Sequence, residues 1–437
     1  MARDLEKGTV LQSMMGVDIV VGKKLGEGGQ GYVYKIDYAG QPKAMKIYKP
    51  ASLHDPKAFY QNLHNNVVKG APSDRFLWPL DMLRWDGKTF GYIMDLRPQE
   101  FYELVDYMNV KKPDVRFQSY RAAVNAALEM TSAFRLLHSK GYSYQDLSDG
   151  NFFIQPQTGQ ILICDNDNVS EYGKNSGILG TPQYMAPEIV RGEAKPDVFT
   201  DRYSLAVIIF IILTMTHPLE GRRHLCEILT PKNERIIYGT DPIFILDPTD
   251  RRNAPVEGIH QFIGVVWKEF PDYIKEMFIK QFSKEILMSP QKRATETDWQ
   301  EILMRLKSQV VRCPYCRGDN LKFDEENPVC SDCGKPLQIG GFLELSDVDY
   351  HIPLTIGNII YRSQLASSNI DVAGDPVLRV RRHPKDPSQI VLQNVSGGDL
   401  TIVKPDGTRV ILNNGKATAA LPGTSIDGCS GRVTVIK

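Results

Sequence analysis

The stretch Tyr144-Gln145-Asp146-Leu147-Ser148-Asp149-Gly150-Asn151 decides how this chain is interpreted. Alone it carries little weight, because an Asp followed five residues later by an Asn arises by chance about once in a chain of this length. The motifs that precede and follow it make the interpretation specific. The loop Gly26-Glu27-Gly28-Gly29-Gln30-Gly31 and the run Ala44-Met45-Lys46 precede it, and Asp165 and the run GTPQYMAPE at 180–188 follow it. The order and spacing of these motifs are the observation on which the functional interpretation depends.

Composition limits the kinds of partner. The chain has 437 residues, 42% of them hydrophobic and 24% charged, which indicates soluble globular material with more than one domain. Lys plus Arg equals Asp plus Glu at 52 each, so the chain has no net positive charge that would attract nucleic acid or an anionic membrane. We therefore expect no nucleic-acid partner and no membrane association.

The apolar segments predict a cytoplasmic protein. The first ten residues carry charges of both signs and lack the apolar core of a secretory signal. The most apolar run, 205–215, is too short for a bilayer of about 30 Å. It is predicted to be a buried helix.

The glycine loop is predicted to lie between two strands within residues 19–38. Because glycines have no Cβ, backbone amides in such a loop can approach phosphate oxygens closely. A dinucleotide site would need this loop to open a helix, whereas the β-like run 32–38 follows it. A nucleotide site of another kind is favoured over a dinucleotide site.

Taken together, residues 18–307 resemble a protein kinase of the Ser/Thr type, which implies an α+β bilobal fold. In finer detail, Asp146-Leu147-Ser148 and Asp165-Asn166-Asp167-Asn168 resemble bacterial kinases associated with tellurite-resistance operons. Those kinases are thought to work in a signalling module beside a von Willebrand-type domain protein and a metal-dependent phosphatase. The resemblance implies such proteins as partners.

The resemblance also implies catalytic roles. Asp146 would accept or orient the proton of a protein hydroxyl, and Lys46 would contact the inner phosphates of ATP. Asn151 and Asp165 would hold Mg²⁺, or Mn²⁺, through oxygen atoms. The alternative is that these are solvated residues that cap turns. Four matches in the right order favour the catalytic interpretation.

The remaining nucleotide contacts follow from the same resemblance. The glycines would hold phosphates, Val33 would cover the adenine ring, and the end of a strand would form the hinge that binds adenine through its backbone. The candidate nucleotide-binding residues are Gly26, Gly28, Gly31, Val33, Lys46, Met94, Asp95 and Leu96.

One expected residue is missing. Asp55-Pro56 predicts a helix start, and in a kinase this helix supplies a glutamate that pairs with the strand lysine. No acidic residue occurs in 56–73, where Gln61, Asn62 and Asn65 are the polar substitutes. Because an amide supplies no charge, we expect Lys46 to be held less firmly or by another acid.

The catalytic motifs differ from the family pattern at three places. Tyr144-Gln145 replaces His-Arg, so no arginine beside Asp146 can bind a phosphate on the activation segment. Ser148 replaces a lysine, which removes a positive charge from the transition state and predicts slow turnover or a different cation. Asp165-Asn166-Asp167 replaces Asp-Phe-Gly, so Asp167 is a candidate to share the metal.

Three residues are expected to be structural by the same resemblance: Asp201 would hold the backbone of the catalytic loop, and Arg293 would pair with Glu188. A long helix is predicted at 115–138, and Thr295 with Asp298 resembles a capping box that opens a last helix.

Two cysteine pairs predict a metal site after residue 307. Cys313-Pro314-Tyr315-Cys316 and Cys330-Ser331-Asp332-Cys333 are separated by thirteen residues. Four thiolates suit a closed structural Zn²⁺ site in a zinc ribbon. A redox pair is the alternative, but a single pair would have sufficed for it.

From residue 341 on, short alternating runs predict an all-β sandwich. The predicted strands are 355–361, 377–380, 390–392, 400–403, 409–412 and 433–436.

Thr355-Ile356-Gly357 and the run 421–428 resemble a forkhead-associated domain, in which an arginine follows the first glycine. Asn358 stands there in this chain. We therefore expect the module to bind a protein partner, or its own kinase domain, through unmodified surface. The nearby arginines, expected to form a solvated strand face, are Arg362, Arg379, Arg381 and Arg382.

The sequence as a whole predicts a cytoplasmic, bacterial-type Ser/Thr protein kinase at 18–307, a zinc ribbon at 308–340 and a β-sandwich at 341–437. ATP, Mg²⁺ or Mn²⁺, and Zn²⁺ are the expected cofactors. The alternative is a nucleotide-binding pseudokinase that acts as a scaffold, which the missing helix glutamate and Ser148 favour.

Overall fold

A computed structural model describes residues 4–49, 53, 55–86, 90–109, 111–174, 180–226, 230–321, 328–346, 348–365, 376–386, 389–427 and 433–436. In these ranges, no helix combines the length and apolar character that a bilayer crossing needs.

The N-terminal lobe is a six-stranded antiparallel sheet with one helix. Side chains alternate between buried and exposed along its strands, as expected when one face of a sheet is packed. The predicted hairpin around the glycine loop is confirmed. The sheet order is β1-β2-β3-β4-β6-β5. The strands are β1 (Val10–Gln12), β2 (Asp18–Glu27), β3 (Gly31–Tyr38), β4 (Gln41–Tyr48), β5 (Asp81–Met82) and β6 (Gly91–Asp95).

Helix α1 (Pro56–Lys69) packs on this sheet. The Asp55 carboxylate accepts from the backbone N–H groups of Lys57 and Ala58, so the predicted start is confirmed. Phe59 and Leu63 recur on one face and are buried in a cluster with Tyr48 of β4. This packing fixes α1 beside the strand that carries Lys46.

The C-terminal lobe is helical. Its centre is the apolar run expected at 205–215, which lies in α4 up to residue 214 and is almost wholly buried. The helix predicted at 115–138 begins later, because Ser119 caps it by accepting from the Ala122 N–H. The helices are α2 (Tyr120–Ser139), α3 (Pro187–Val190), α4 (Val198–Thr214), α5 (Arg222–Cys226), α6 (Pro231–Glu234), α7 (Gln261–Glu269), α8 (Asp272–Gln281), α9 (Lys284–Leu287) and α10 (Glu296–Gln309).

Short strands at the boundary between the lobes carry the loops that contain the sequence motifs. One sheet has the order β10-β9-β7 and a second pairs β11 with β8. These strands are β7 (Tyr102–Glu103), β8 (Tyr142–Ser143), β9 (Phe152–Ile154), β10 (Ile161–Ile163) and β11 (Ser170–Glu171). The stretch 144–151 therefore joins β8 to β9, below the cleft between the lobes.

Beyond α10, a short pair of strands precedes two larger sheets that enclose a separate apolar core. The larger sheets have the orders β15-β14-β23-β22-β19-β20 and β16-β17-β18-β21, an arrangement that fits the predicted sandwich. The strands are β12 (Val311–Arg312), β13 (Asp319–Asn320), β14 (Ile339–Leu345), β15 (His351–Thr355), β16 (Ile359–Tyr361), β17 (Pro376–Arg382), β18 (Ile390–Asn394), β19 (Leu400–Val403), β20 (Arg409–Leu412), β21 (Ala417–Ala419), β22 (Ser425–Asp427) and β23 (Val433–Ile436).

The single strand predicted at 355–361 was wrong. Gly357 has a φ of 87°, a left-handed backbone conformation that ends β15 and turns the chain into β16. Arg379, Arg381 and Arg382 are exposed, as expected of a solvated strand face, whereas Arg362 is half-buried in a turn after β16, so the expectation was wrong for Arg362.

Candidate active site

The loop from β8 to β9 is tied to the centre of the C-terminal lobe. The carboxylate of Asp201, buried on α4, accepts from the backbone N–H groups of Tyr144 at 2.6 Å and Gln145 at 3.0 Å. Gln145 adopts a φ of 75°, an uncommon conformation for a non-glycine residue. The role expected of Asp201 is confirmed, and it fixes the position of Asp146.

A buried histidine extends this anchor, and the sequence motifs did not point to it. His138 at the end of α2 contacts Asp201 Oδ2 at 3.1 Å and Glu296 Oε1 at 2.9 Å through its two ring nitrogens. Burial disfavours its charged form, but the hydrogen bonds to Asp201 and Glu296 outweigh burial and raise the pKa of His138 to about 9. An imidazolium therefore joins the catalytic loop to α10 at neutral pH.

Asp146 faces the end of the activation segment. Thr181 Oγ1 donates to its Oδ1 at 3.5 Å, a long contact. Burial, followed by repulsion from Asp165 and Asp167, raises the pKa of the Asp146 carboxyl above its usual value. The structure thus brings three acidic side chains to one place.

Asn151 is held beside Asp146 and Asp165. Its amide nitrogen donates to the Asp146 carbonyl at 3.1 Å and to the Tyr144 hydroxyl at 3.2 Å. Ser148 Oγ donates to its amide oxygen at 2.5 Å. The backbone N–H of Cys164 bonds to the Asn151 carbonyl at 2.9 Å, so Asp165 follows directly. Ser148 therefore orients the amide oxygen of Asn151.

Two acids hold the strand lysine. Lys46 Nζ lies 3.2 Å from Asp165 Oδ1 and 2.8 Å from Asp167 Oδ2, and the Tyr48 hydroxyl also donates to Asp167 Oδ2. The side chain of Asp167 is fully buried. Burial opposes the charge on Lys46, but attraction to Asp167 and then Asp165 outweighs burial and raises the pKa of Lys46. The other acid expected for Lys46 is thus Asp167.

Helix α1 uses amides for a different contact. Asn62 and Asn66 both donate to the carbonyl of Val169, at 2.8 and 2.9 Å. Gln61 and Asn65 bond to each other at 3.2 Å in an exposed position. Of the three predicted substitutes only Asn62 faces the site, and it binds the backbone of the following segment while Asp167 contacts the lysine.

The glycine loop is open on one side and tightly packed on the other. A Cβ added at Gly26 or Gly28 would meet no atom within 4 Å, so backbone there is accessible. A Cβ at Gly31 would lie 2.1 Å from the carbonyl of Ile47, so Gly31 is required for the close approach of β3 to β4. The glycine motif therefore combines an accessible loop tip with a packing position.

The proposed adenine-binding residues line one apolar cluster. Val33 and Leu96 pack against the buried Ala44, Met94 and Cys164. Met94 pairs with Ala44 across β6 and β4, and the chain leaves the sheet at residues 95–96. The side chain of Asp95 is exposed and contacts Lys43, away from the cleft. The backbone of Asp95 is therefore the part of this residue that is available to the cleft.

Comparison with known proteins decides the family. Residues 19–303, well over half of the chain, match the family described as protein kinase domain. The chain belongs to the protein kinase family. The two-lobed fold and the positions of the sequence motifs agree with this assignment.

Several curated kinases are similar to part of this kinase. Protein kinase C delta type of Mus musculus is 30% identical over 206 residues, which cover 46% of this chain and 29% of that protein. Ribosomal protein S6 kinase alpha-6 of Danio rerio is 29% identical over 212 residues, covering 46% and 27%. The probable serine/threonine-protein kinase RTK1 of Saccharomyces cerevisiae is 22% identical over 320 residues, covering 69% and 46%. The matches span less than half of each of these relatives.

The segment after β10 has an unusual polar core for a kinase. Asn166, fully buried, stands where the resemblance expects phenylalanine and donates to the carbonyls of Leu77 at 3.0 Å and Ile163 at 2.9 Å. Asp165 just before it has a left-handed φ of 52°. Hydrogen bonds therefore replace an apolar anchor in fixing this segment.

The oxygen atoms around Asp165 fit a divalent cation. Asp165 keeps 46% of its side chain exposed, and Asn151 stands beside it in the fold because its backbone carbonyl accepts from the N–H of Cys164. Carboxylate and amide oxygens are ligands that Mg²⁺ accepts. Asp167 stays a candidate to share the metal: its Oδ2 is bonded to Lys46 and Tyr48, and its buried Oδ1 has no hydrogen-bond partner among the described residues.

The expected structural ion pair is confirmed. Both terminal nitrogens of Arg293 bond to the Glu188 carboxylate, at 2.8 and 2.7 Å, and both residues are buried. A bidentate pair of this kind fixes geometry as well as charge. The Arg293–Glu188 pair joins the end of the activation segment to the C-terminal lobe.

The four clustered cysteines meet after the kinase domain. The Sγ atoms of Cys313, Cys316, Cys330 and Cys333 lie within 4.8 Å of one another. The Cys313–Cys333 and Cys316–Cys330 separations are 3.7 and 3.5 Å. A tetrahedral zinc with bonds of about 2.3 Å places its sulfurs about 3.8 Å apart. The thiol geometry therefore fits one zinc ion.

Proposed function

We propose that this protein is an ATP-dependent Ser/Thr protein kinase, which transfers the γ-phosphate of ATP to hydroxyl groups of a protein substrate. The observation that carries the proposal is the contact of Lys46 with the buried Asp167. Asp167 supplies the negative charge that helix α1 lacks, which answers one of the two arguments for a scaffold, the missing helix glutamate. The relatives named as serine/threonine-protein kinases support the choice of acceptor.

Each side chain has one task in this proposal. Phosphoryl transfer depends mainly on positioning and on neutralising phosphate charge. Asp146 orients the acceptor hydroxyl and takes its proton, with Thr181 beside it. Lys46 binds the inner phosphates. Mg²⁺ or Mn²⁺, bound by Asn151 and Asp165, supplies positive charge at the phosphates.

We propose that Ser148 makes the kinase slow. The family lysine at this position would contact the transferring phosphate. Ser148 Oγ instead donates to the Asn151 amide oxygen and brings no charge. Its contribution is therefore to orient a metal ligand.

The finer assignments are also proposals. We assign residues 18–307 to the kinase, 308–340 to a zinc ribbon and 341–437 to a forkhead-associated-like sandwich. The ribbon proposal rests on the four thiols that lie within 4.8 Å of one another. The sequence resemblance supports a bacterial, cytoplasmic kinase of the tellurite-resistance-associated group, with a von Willebrand-type domain protein and a metal-dependent phosphatase as partners.

A transfer assay with phosphoamino-acid analysis tests the proposed activity. The purified chain is incubated with γ-labelled ATP, a general protein acceptor and either Mg²⁺ or Mn²⁺. We expect label on serine or threonine. ATP binding without any transfer, under both metals, would instead support the pseudokinase scaffold.

A further inference from the structure

A cleft of about 650 Å³ lies where the kinase domain meets the C-terminal sandwich. Its walls come from the start of α2, the end of α10 and the turn between β15 and β16. The cleft lies at the start of α2, whereas the catalytic loop follows the end of that helix. The cleft is therefore separate from the proposed ATP site.

The cleft is strongly basic. Arg75, Arg121, Lys307 and Arg312 line it, and Glu129 is the single acidic residue among its described lining residues. The Glu129 carboxylate bonds to Arg75. Three cations thus remain without a carboxylate from the lining.

Lys307 is the most buried of these cations. Its exposed fraction is 7%, its Nζ donates to the neutral Asn125 Oδ1 at 2.8 Å, and Nζ lies 5.3 Å from the centre of the Tyr361 ring. Burial, followed by the charge of Arg121, lowers the pKa of Lys307 to about 8, and the charge of Glu129 offsets only part of that shift. A buried ammonium beside another cation is costly unless an anion compensates it.

The Arg121 guanidinium donates to neutral acceptors, and the charge of the nearby Asp319 offsets only part of the cost of burying it. Its guanidinium donates to Asn358 Oδ1 of the sandwich at 2.8 Å and to the Val310 carbonyl at 2.7 Å. The nearby acid, Asp319, accepts from the backbone N–H of Arg121 at 3.0 Å. The guanidinium is therefore preorganised across the domain boundary.

We propose that this cleft binds a dianionic phosphate monoester or free phosphate, through Arg121, Lys307 and Arg312. Several cationic donors that converge on one space suit an anion with several acceptor oxygens. Such an anion would contact residues of the kinase domain beside the β15–β16 turn and so couple the two domains. The proposal does not depend on catalysis.

The module's own arginines do not supply these charges. Arg379, Arg381 and Arg382 are exposed on β17, and none of them lines the cleft. The cations come from α2, α10 and β12 instead. A phosphate-dependent contact is thus compatible with a sandwich surface that has no arginine at position 358.

Binding to the full chain tests the proposal, with ADP and Mg²⁺ present to fill the nucleotide site. The probes are inorganic phosphate, a phosphothreonine peptide and its unphosphorylated counterpart. The test variant is Lys307→Gln, and the matched control is Lys292→Gln, at an exposed position outside the cleft. We expect Lys307→Gln to weaken phosphate-dependent binding about tenfold or more and the control to leave it unchanged.

The melting temperature separates binding from folding. Without phosphate, Lys307→Gln should melt at or above the parent, because the variant removes a buried charge beside Arg121. With phosphate, only the parent and the control should gain stability. Preference for inorganic phosphate would identify a free anion as the ligand, and preference for the phosphopeptide a modified side chain. Equal affinity in parent and Lys307→Gln, or no saturable binding of either phosphate probe at about 10 mM, would overturn the proposal.

Discussion

The Nζ of Lys46 lies 2.8 Å from Oδ2 of Asp167, a carboxylate with no exposed surface. The acid that holds the strand lysine therefore lies two residues after Asp165, on the segment that would also bind the metal. Helix α1 reaches the same segment through Asn62 and Asn66. As a result, the position of Lys46 depends on the segment that follows β10, and no acid from α1 is needed.

Replacing Asp167 should impair both stability and activity. Asp167→Asn leaves Lys46 with Asp165 as its only acidic partner, and removal of one member of a buried ion pair typically costs about 3–5 kcal/mol. We expect a lower free energy of unfolding and at least about a tenfold loss of the transfer rate. The matched control is Asp272→Asn, which breaks a pair with Lys275 in which the Asp272 side chain is 86% exposed. Parent-like rates and denaturation midpoints in Asp167→Asn would contradict this role.

Activity should not require a phosphate on the activation segment. Gln145 binds that segment through the Lys174 carbonyl at 2.6 Å and offers no positive charge. The hydroxyl residues of this segment are Ser170, Tyr172, Ser176 and Thr181; Ser170 is buried, Ser176 lies outside the described residues, and Tyr172 and Thr181 are more accessible. Initial rates measured before and after phosphatase treatment should agree within about tenfold. A larger loss would mean that another basic residue binds a phosphate there.

One zinc ion per chain should be bound for folding. Four thiolates leave no position for a reactive water, so the metal should survive mild dialysis. Strong chelation should unfold the segment that carries Cys313 and Cys330, both buried, and leave the kinase domain folded. Elemental analysis and hydrogen exchange measure these effects. A metal-free protein with an intact segment, together with an unaffected Cys330→Ser variant, would rule the site out.

The His138 network should make stability depend on alkaline pH. The pKa of His138 rises from 6.5 to about 9 on folding, so its contribution is fully present below pH 6.5 and is lost as the pH rises through 9. The shift corresponds to a contribution on the order of 3 kcal/mol. The free energy of unfolding, measured from pH 6 to 10, should fall less steeply in His138→Gln than in the parent. His351→Gln, at an exposed position, is the control. Parallel curves for parent and His138→Gln would contradict the account.

The sequence predicted the kinase fold because its motifs are local. The glycine loop, Lys46, Asp146 and Asp165 each stand at a fixed place in strand or loop, and the helix caps at Asp55 and Thr295 were found as expected. Position along the chain was sufficient for these features. The roles of the side chains remain proposals.

What the sequence missed depends on long-range contacts. Asp167 meets Lys46 across 121 residues, and His138 meets Glu296 across 158 residues. No local sequence pattern indicates either of these contacts. The strand prediction at 355–361 failed for a different reason, since the left-handed Gly357 interrupts an apolar run that otherwise alternates like one strand.

Transfer from γ-labelled ATP by the parent and by Asp146→Asn tests the central claim most directly. The substitution removes the proton acceptor and keeps the size of the side chain. The control is Asp272→Asn, in an exposed first turn of α8. We predict that Asp146→Asn loses about 10²-fold or more of the rate with a melting temperature at or above that of the parent, and that the control transfers like the parent. Equal incorporation by the parent and Asp146→Asn would contradict the catalytic account.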